Sequence, residues 1–162
     1  MLRKKVQDAL NAQLVAEYYS SYLYLSMSAY FENQTLKGFA HWMRVQAQEE
    51  MTHAMKFYDH IVDRLGRVEL KPVDGPKTEW RSPLAAFQEA HAHEVKVTAM
   101  INDLLELANK EKDTATAAFL QWFVTEQVEE EAQTDEIVQK LKLIGDVAPA
   151  LLMLDAVLGQ RK

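Results

Sequence analysis

Apolar residues return every three or four positions along four long stretches of the chain, and each stretch is broken near its middle by an acid, a histidine or an amide. That period puts the apolar side chains on one face of an α-helix. From Arg3 to about Asn33 the stripe reads Val6, Leu10, Leu14, Tyr18, Ser21, Leu25 and Ser28, filled out by Tyr22, Tyr24 and Met27. A second stretch from about Leu36 to Leu65 carries Phe39, Trp42, Met43, Gln46, Glu50, His53, Phe57 and Ile61. It stops at Gly66, the expected left-handed helix end. So few residues separate the two stretches that they are predicted to be antiparallel neighbours.

Between Gly66 and Arg81 the helical period disappears, and Pro72, Gly75 and Pro76 mark a loop. Sixteen extended residues span at most ~50 Å, whereas a helix of ~28 residues is ~42 Å long. The loop can therefore return the chain along the whole length of a bundle, leaving the second and third helices parallel. Ser82-Pro83 supplies a capping hydroxyl and a first-turn proline for the third helix. It is predicted over Pro83 to about Asn109, with Phe87, Ala90, Glu94, Val97, Ile101, Leu104, Leu105 and Ala108 inward. Asp113 caps a fourth that runs through Phe119, Trp122, Phe123, Gln127, Glu130, Thr134, Ile137 and Leu141 to Gly145. A short apolar fifth helix is expected at Ala148 to Leu158. The pattern predicts one all-α domain over residues 1–162, two antiparallel pairs joined by a long crossover, which is the ferritin-like four-helix bundle topology.

Composition narrows the chemistry. The absence of cysteine removes disulfides, thiolate metal sites, iron–sulfur clusters and cysteine nucleophiles, so any metal must be held by Glu, Asp or His. Twenty-four acids against 18 Lys and Arg give a net charge of −6, which disfavours general nucleic-acid binding. Val6 to Gln13 is too polar for a signal-peptide core and no segment approaches membrane-spanning length, so a soluble, cytoplasmic protein is expected.

The interruptions of the stripes carry the chemistry: Glu17 on the first helix, Glu50 and His53 on the second, Glu94 on the third, Gln127 and Glu130 on the fourth. Burying an unpaired carboxylate costs several kcal/mol, so a converging set requires protonation, a cationic partner or a metal. No Lys or Arg shares the stripes near these positions. Glu50-x-x-His53 is an i, i+3 pair able to grip one metal, a weak signal alone. The repeat is stronger evidence. Glu17 to Glu50 and Glu94 to Gln127 are both 33 residues, and a shift of 77 carries Glu17 to Glu94, Glu50 to Gln127, His53 to Glu130 and Glu49 to Glu126. Two hairpins with matching groups at matching offsets face each other about a pseudo-twofold axis and build a dinuclear site.

Glu17-Tyr-Tyr with Tyr24, Lys37-Gly-Phe-Ala-His-Trp, Gln48-Glu-Glu-Met-Thr-His53, Phe119-Leu-Gln-Trp-Phe and Glu126-Gln-Val-Glu-Glu-Glu131 make nearly the whole chain resemble the bacterial and archaeal non-haem ferritins. The resemblance implies that Glu17, Glu50 and His53 hold one iron and that Glu94, Glu130 and the shared Glu50 hold a second, with Gln127 beside them. It further implies Fe(II) oxidation by dioxygen or peroxide and a shell of twenty-four subunits storing ferric mineral. Bacterioferritins would carry Glu and His in place of Gln127 and Glu130, and rubrerythrins would add a cysteine-rich domain. Haem is not expected, and Met51, directly after Glu50, is read as a packing residue.

Tyr24, two turns from Glu17, shares its face and is a candidate to hydrogen-bond a ligand or donate an electron; Trp122 is another, with aromatic packing the plain alternative for both. Gln127 either ligates weakly or hydrogen-bonds a ligand. His41, His60, His91 and His93 are expected at surfaces or interfaces. Glu49 and Glu126 are each turned ~100° from a core-facing neighbour, and Glu129 follows Glu126 by three residues. Together, with Glu130 shared, they form a candidate third iron position on the cavity side. The alternatives are an oxidase acting on an organic substrate, which needs an apolar pocket beside the metals, and a metal-free helical scaffold.

Overall fold

The computed structural model describes residues 1–162. It contains five helices and no strand: α1 (Lys4–Asn33), α2 (Lys37–Asp63), α3 (Pro83–Lys110), α4 (Thr114–Ile144) and α5 (Ala148–Leu158). No helix is long and apolar enough to cross a membrane. Two apolar clusters settle the helix directions. One joins Val6 and Leu10 of early α1, Phe57 and Ile61 of late α2, Ile101 and Leu104 of late α3, and Leu120 of early α4. The other joins Phe31 of late α1, Phe39 of early α2, Phe87 of early α3, Leu141 of late α4, and Leu154 and Leu158 of α5. Thus α1 and α4 run one way, α2 and α3 the other, as a long crossover demands.

Ser82 Oγ accepts the Ala85 amide at 3.1 Å to start α3, and Asp113 Oδ1 accepts the Thr116 amide at 3.0 Å to start α4. The crossover is tied to α1 by side chains that mimic backbone partners: Asn11 donates to Arg67 O at 2.9 Å and accepts from the Glu69 amide at 2.7 Å, and Ser26 Oγ donates to Lys77 O at 2.6 Å. At the end of α2 the left-handed residue is Leu65 (φ 58°), not Gly66. The Gly66 amide closes the turn onto Ile61 O at 2.8 Å, and a Cβ on Gly66 would meet Leu2 at 2.9 Å and Ile61 O at 3.0 Å. Glycine therefore eases the close approach there. Thr35 (φ 61°) and Lys112 (φ 56°) end α1 and α3 in the same way.

The expected α1 stripe is partly wrong. Tyr18, Tyr22 and Leu25 are 42%, 48% and 50% exposed. Each four-residue step advances ~40° beyond a full turn, so the run Leu10, Leu14, Tyr18, Tyr22 winds off the core. The buried face instead corrects with three-residue steps through Leu14, Glu17, Ser21, Tyr24, Ser28 and Phe31. Leu105 and Phe119 are only half-buried.

Candidate metal centre

Midway along the bundle, between the two apolar clusters, Glu17, Glu50, His53, Glu94 and Glu130 converge with exposures of only 1–3%. Each stands on the inward face of its helix, with further buried residues one turn away on either side. His53 Nδ1 lies 3.1 Å from Glu50 Oε2 and 3.9 Å from Glu17 Oε2. Ligand atoms of Glu17, Glu50 and His53 lie within 4.8 Å of one another, as do those of Glu50, Glu94 and Glu130. Glu50 belongs to both groups, so the two triads share one corner.

The electrostatics are unbalanced. No Lys or Arg pairs with any of the four carboxylates. Burial, then the charge of Glu50, pushes Glu17 well above the usual carboxylate range. Burial, then Glu94 and Glu130, does the same to Glu50. Burial raises Glu94 although Tyr24 and Gln127 hydrogen-bond to it, and burial with the charge of Glu94 pushes Glu130 up to about 8. Glu17 Oε2 is buried without any hydrogen-bond partner. An orphaned carboxylate oxygen facing an imidazole nitrogen fits a cation placed between them. Hard oxygen donors with one nitrogen suit iron, manganese or zinc.

The other candidates take varied places. The Tyr24 hydroxyl is fully buried and donates to Glu94. Gln127 Nε2 donates to Glu94 Oε2, Glu94 O and Thr98 Oγ1, each at 3.2 Å, so its amide is committed to orienting an acid. Trp122 is half-exposed and meets the His53 ring edge-on at 5.4 Å, with Lys56 Nζ 4.2 Å above it. Glu126 Oε1 approaches the far nitrogen of His53 at 3.8 Å, and ligand atoms of His53, Glu126 and Glu130 form a third triad. Glu49 and Glu129 do not join it: Glu49 Oε2 accepts from Arg161 at 2.8 Å and Glu129 from Gln133 at 2.9 Å. His60, His91 and His93 are half-buried, each with an inter-helix hydroxyl partner: Thr116, Thr134 and Ser20. His41 is exposed and reaches Arg161 O, and Met51 is half-buried.

The roles of two glutamines escaped the sequence reading, which set Gln46 on the second stripe and gave neither Gln46 nor Gln13 a part in the site. Gln13 Nε2 donates to Glu17 Oε1 at 2.9 Å. Gln46 Nε2 donates to Glu50 Oε1 at 2.9 Å and to Glu130 Oε2 at 2.8 Å. The signal was present, since each lies four residues before an acid of the site and the two are themselves 33 residues apart.

The ferritin-like domain family, Ferritin, matches residues 7–144 of the chain. A bacterial non-heme ferritin from Bacteroides fragilis (strain 638R) is 46% identical over 161 residues, covering 99% of this chain and 100% of that protein. The chain belongs to the non-haem ferritins. A ferritin of that kind from Staphylococcus aureus (strain MRSA252) is 39% identical over 161 residues, covering 99% of this chain and 97% of the relative. Among solved structures, an open-pore ferritin from the hyperthermophilic archaeon Archaeoglobus fulgidus superposes with a TM-score of 0.99 at 55% identity, covering 100% of both chains. As a ferritin, this chain is an iron-storage protein, and its buried acid and histidine cluster suits iron oxidation.

Proposed function

We propose that the chain is a ferroxidase that binds two Fe(II) ions between the helices, oxidises them with dioxygen or peroxide, and passes Fe(III) to a mineral store. The observation that carries this reading is the pair of triads joined at Glu50, with a Glu17 oxygen left orphaned in the core. Glu17, Glu50 and His53 hold one iron; Glu94, Glu130 and the bridging Glu50 hold the other. Two Fe(II) ions bring four positive charges to four carboxylates, removing the imbalance that pushes those acids up. Each iron gives one electron, so the pair reduces dioxygen, with two protons, to hydrogen peroxide, or hydrogen peroxide, with two protons, to two waters. Anionic oxygen donors favour Fe(III) over Fe(II) and so lower the potential of the couple. Tyr24, bonded to Glu94, orients that ligand and lies close enough to supply an electron.

Oxidation of an organic substrate needs an apolar pocket beside the metals, and there Phe123 packs against Phe57, Trp122 and His53, with Trp122 also against His53. A third iron position outside the pair draws support from the His53, Glu126 and Glu130 triad, with Glu49 and Glu129 nearby on the same side. The reading includes assembly of twenty-four subunits into a cytoplasmic shell; the family and the apolar face that α5 leaves open support assembly.

Fe(II) added in air tests the reading. The protein should form amber ferric species much faster than buffer, and Glu17→Ala, Glu50→Ala and His53→Ala should each lower the initial rate at least about tenfold with helix content intact. Wild-type rates in all three variants would overturn it. Anomalous diffraction from iron-soaked crystals counts the positions directly, and a density peak beside Glu126 and Glu130 is expected for the third.

A further inference from the structure

Two acids of the centre, Glu50 and Glu130, are held by Gln46, and Gln46 is held by a residue from the other end of the sequence. Arg161 follows α5, 115 residues beyond Gln46. Its Nη2 donates to Gln46 Oε1 at 2.8 Å and to Glu49 Oε2 at 2.8 Å, and its Nη1 donates to Trp42 O at 3.1 Å. The guanidinium lies over the Trp42 ring at 4.2 Å, and Arg161 O faces His41 Nε2 at 2.6 Å. Upstream, Asp155 Oδ1 accepts the Phe39 amide at 3.0 Å, and a Cβ on Gly38 would collide with the Asp155 carbonyl. The whole docking of α5 on α2 thus delivers one guanidinium to one amide.

That contact decides which way the amide faces. A guanidinium can only donate, so Gln46 must turn its oxygen to Arg161 and its NH2 to the centre. There the two amide hydrogens meet two acceptors, Glu50 Oε1 and Glu130 Oε2. The flipped amide would set its oxygen against two carboxylates and its NH2 against the guanidinium. Gln46 is fully buried, so no solvent competes for either end. Glu50 and Glu130 are the two acids shared between triads, and Gln46 fixes one oxygen of each.

We propose that Arg161 is a positioning residue for the metal centre, locking the Gln46 amide so that Glu50 and Glu130 are held ready for iron. The inference rests on the two-iron reading above. It also links seating of α5 on α2 to loading of the centre, since whatever displaces α5 withdraws the guanidinium.

The test is a double-mutant cycle read by anaerobic Fe(II) titration calorimetry, which needs no turnover. All the groups belong to one chain, so the comparison holds in whatever assembly a variant forms. Gln46→Leu should weaken Fe(II) binding about tenfold, the lower range for loss of a hydrogen bond to metal ligands. Arg161→Ala should weaken it about threefold to tenfold in the wild-type background, yet by less than about twofold when Gln46 is already Leu. Arg161→Lys keeps a charge near Glu49 but lacks the planar fork, and it should lose most of the same affinity. That variant decides the matter if the alanine change yields no helical protein. Affinity within twofold of wild type for the Arg161 variants, or the same fold loss in both backgrounds, would overturn the proposal. A wild-type protein that binds no Fe(II) would instead overturn the two-iron reading.

Discussion

Glu17 presents the sharpest conflict between stability and use. Its Oε2 has no partner, Gln13 satisfies only Oε1, and burial with the Glu50 charge pushes its pKa well up. Without metal this acid is therefore a cost to the fold. Glu17→Gln should raise the stability of the iron-free protein by about 1 kcal/mol or more, because a neutral isostere avoids the cost of neutralising a buried acid on folding. Thermal unfolding with a chelator present measures this, and a lower midpoint for the variant would contradict it. Added Fe(II) should raise the wild-type midpoint more than that of the variant. Glu17, Glu50, His53, Glu94 and Glu130 were legible as single letters because each interrupts an apolar stripe. Gln13 and Gln46 interrupt the same stripes, but a neutral amide has no chemistry that separates orienting an acid from facing solvent.

Helix ends show how local signals combine with partners far along the chain. Ser82 and Asp113 cap α3 and α4 as their residue types predict. Asp113 also receives Arg64 Nη1 at 2.8 Å and the Thr116 hydroxyl at 3.0 Å, joining the end of α2 to the start of α4. Burial acts to raise the Asp113 pKa, but the bonds from Arg64 and Thr116 outweigh it and the net shift is downward. A carboxylate held below its unfolded value stabilises the fold above about pH 4, and that contribution is lost as pH falls through the folded value. Asp113→Ala should cost about 1–2 kcal/mol near neutral pH, combining a lost cap and a mostly buried ion pair. Denaturant melts at pH 7 and pH 3 check it: the gap between variant and wild type should shrink at the lower pH, and a constant gap would count against the charge.

The assembled particle draws on surfaces that a lone subunit leaves open. Leu143, Val147, Leu152, Met153 and Val157 are 56–88% exposed at the end of α4 and along α5. An 11-residue helix cannot hold such a face in water without a partner. Leu152→Glu with Met153→Glu should therefore shift the protein from a large particle to small oligomers in light scattering. Helix content should persist, since the docked side of α5, Leu154 and Leu158, is untouched. A particle of unchanged mass would remove α5 from the assembly.

Periodicity was enough for five helices, their order, the long crossover and the five acid and histidine positions, because burial of an apolar face is a repeated local demand that every turn restates. It misled on Tyr18, Tyr22 and Leu25, where four-residue steps match a helix but wind off the core. It also placed the left-handed end of α2 at Gly66, whereas Leu65 takes that conformation and Gly66 makes room for Leu2 and Gln7. Glu49 passes from an expected cavity-side acid to a partner of Arg161, and Arg161 itself carried no signal. Contacts of this kind join residues more than a hundred positions apart, and they arise only when α5 seats on α2. No period in the chain encodes them, since each is made once, by the meeting of two surfaces.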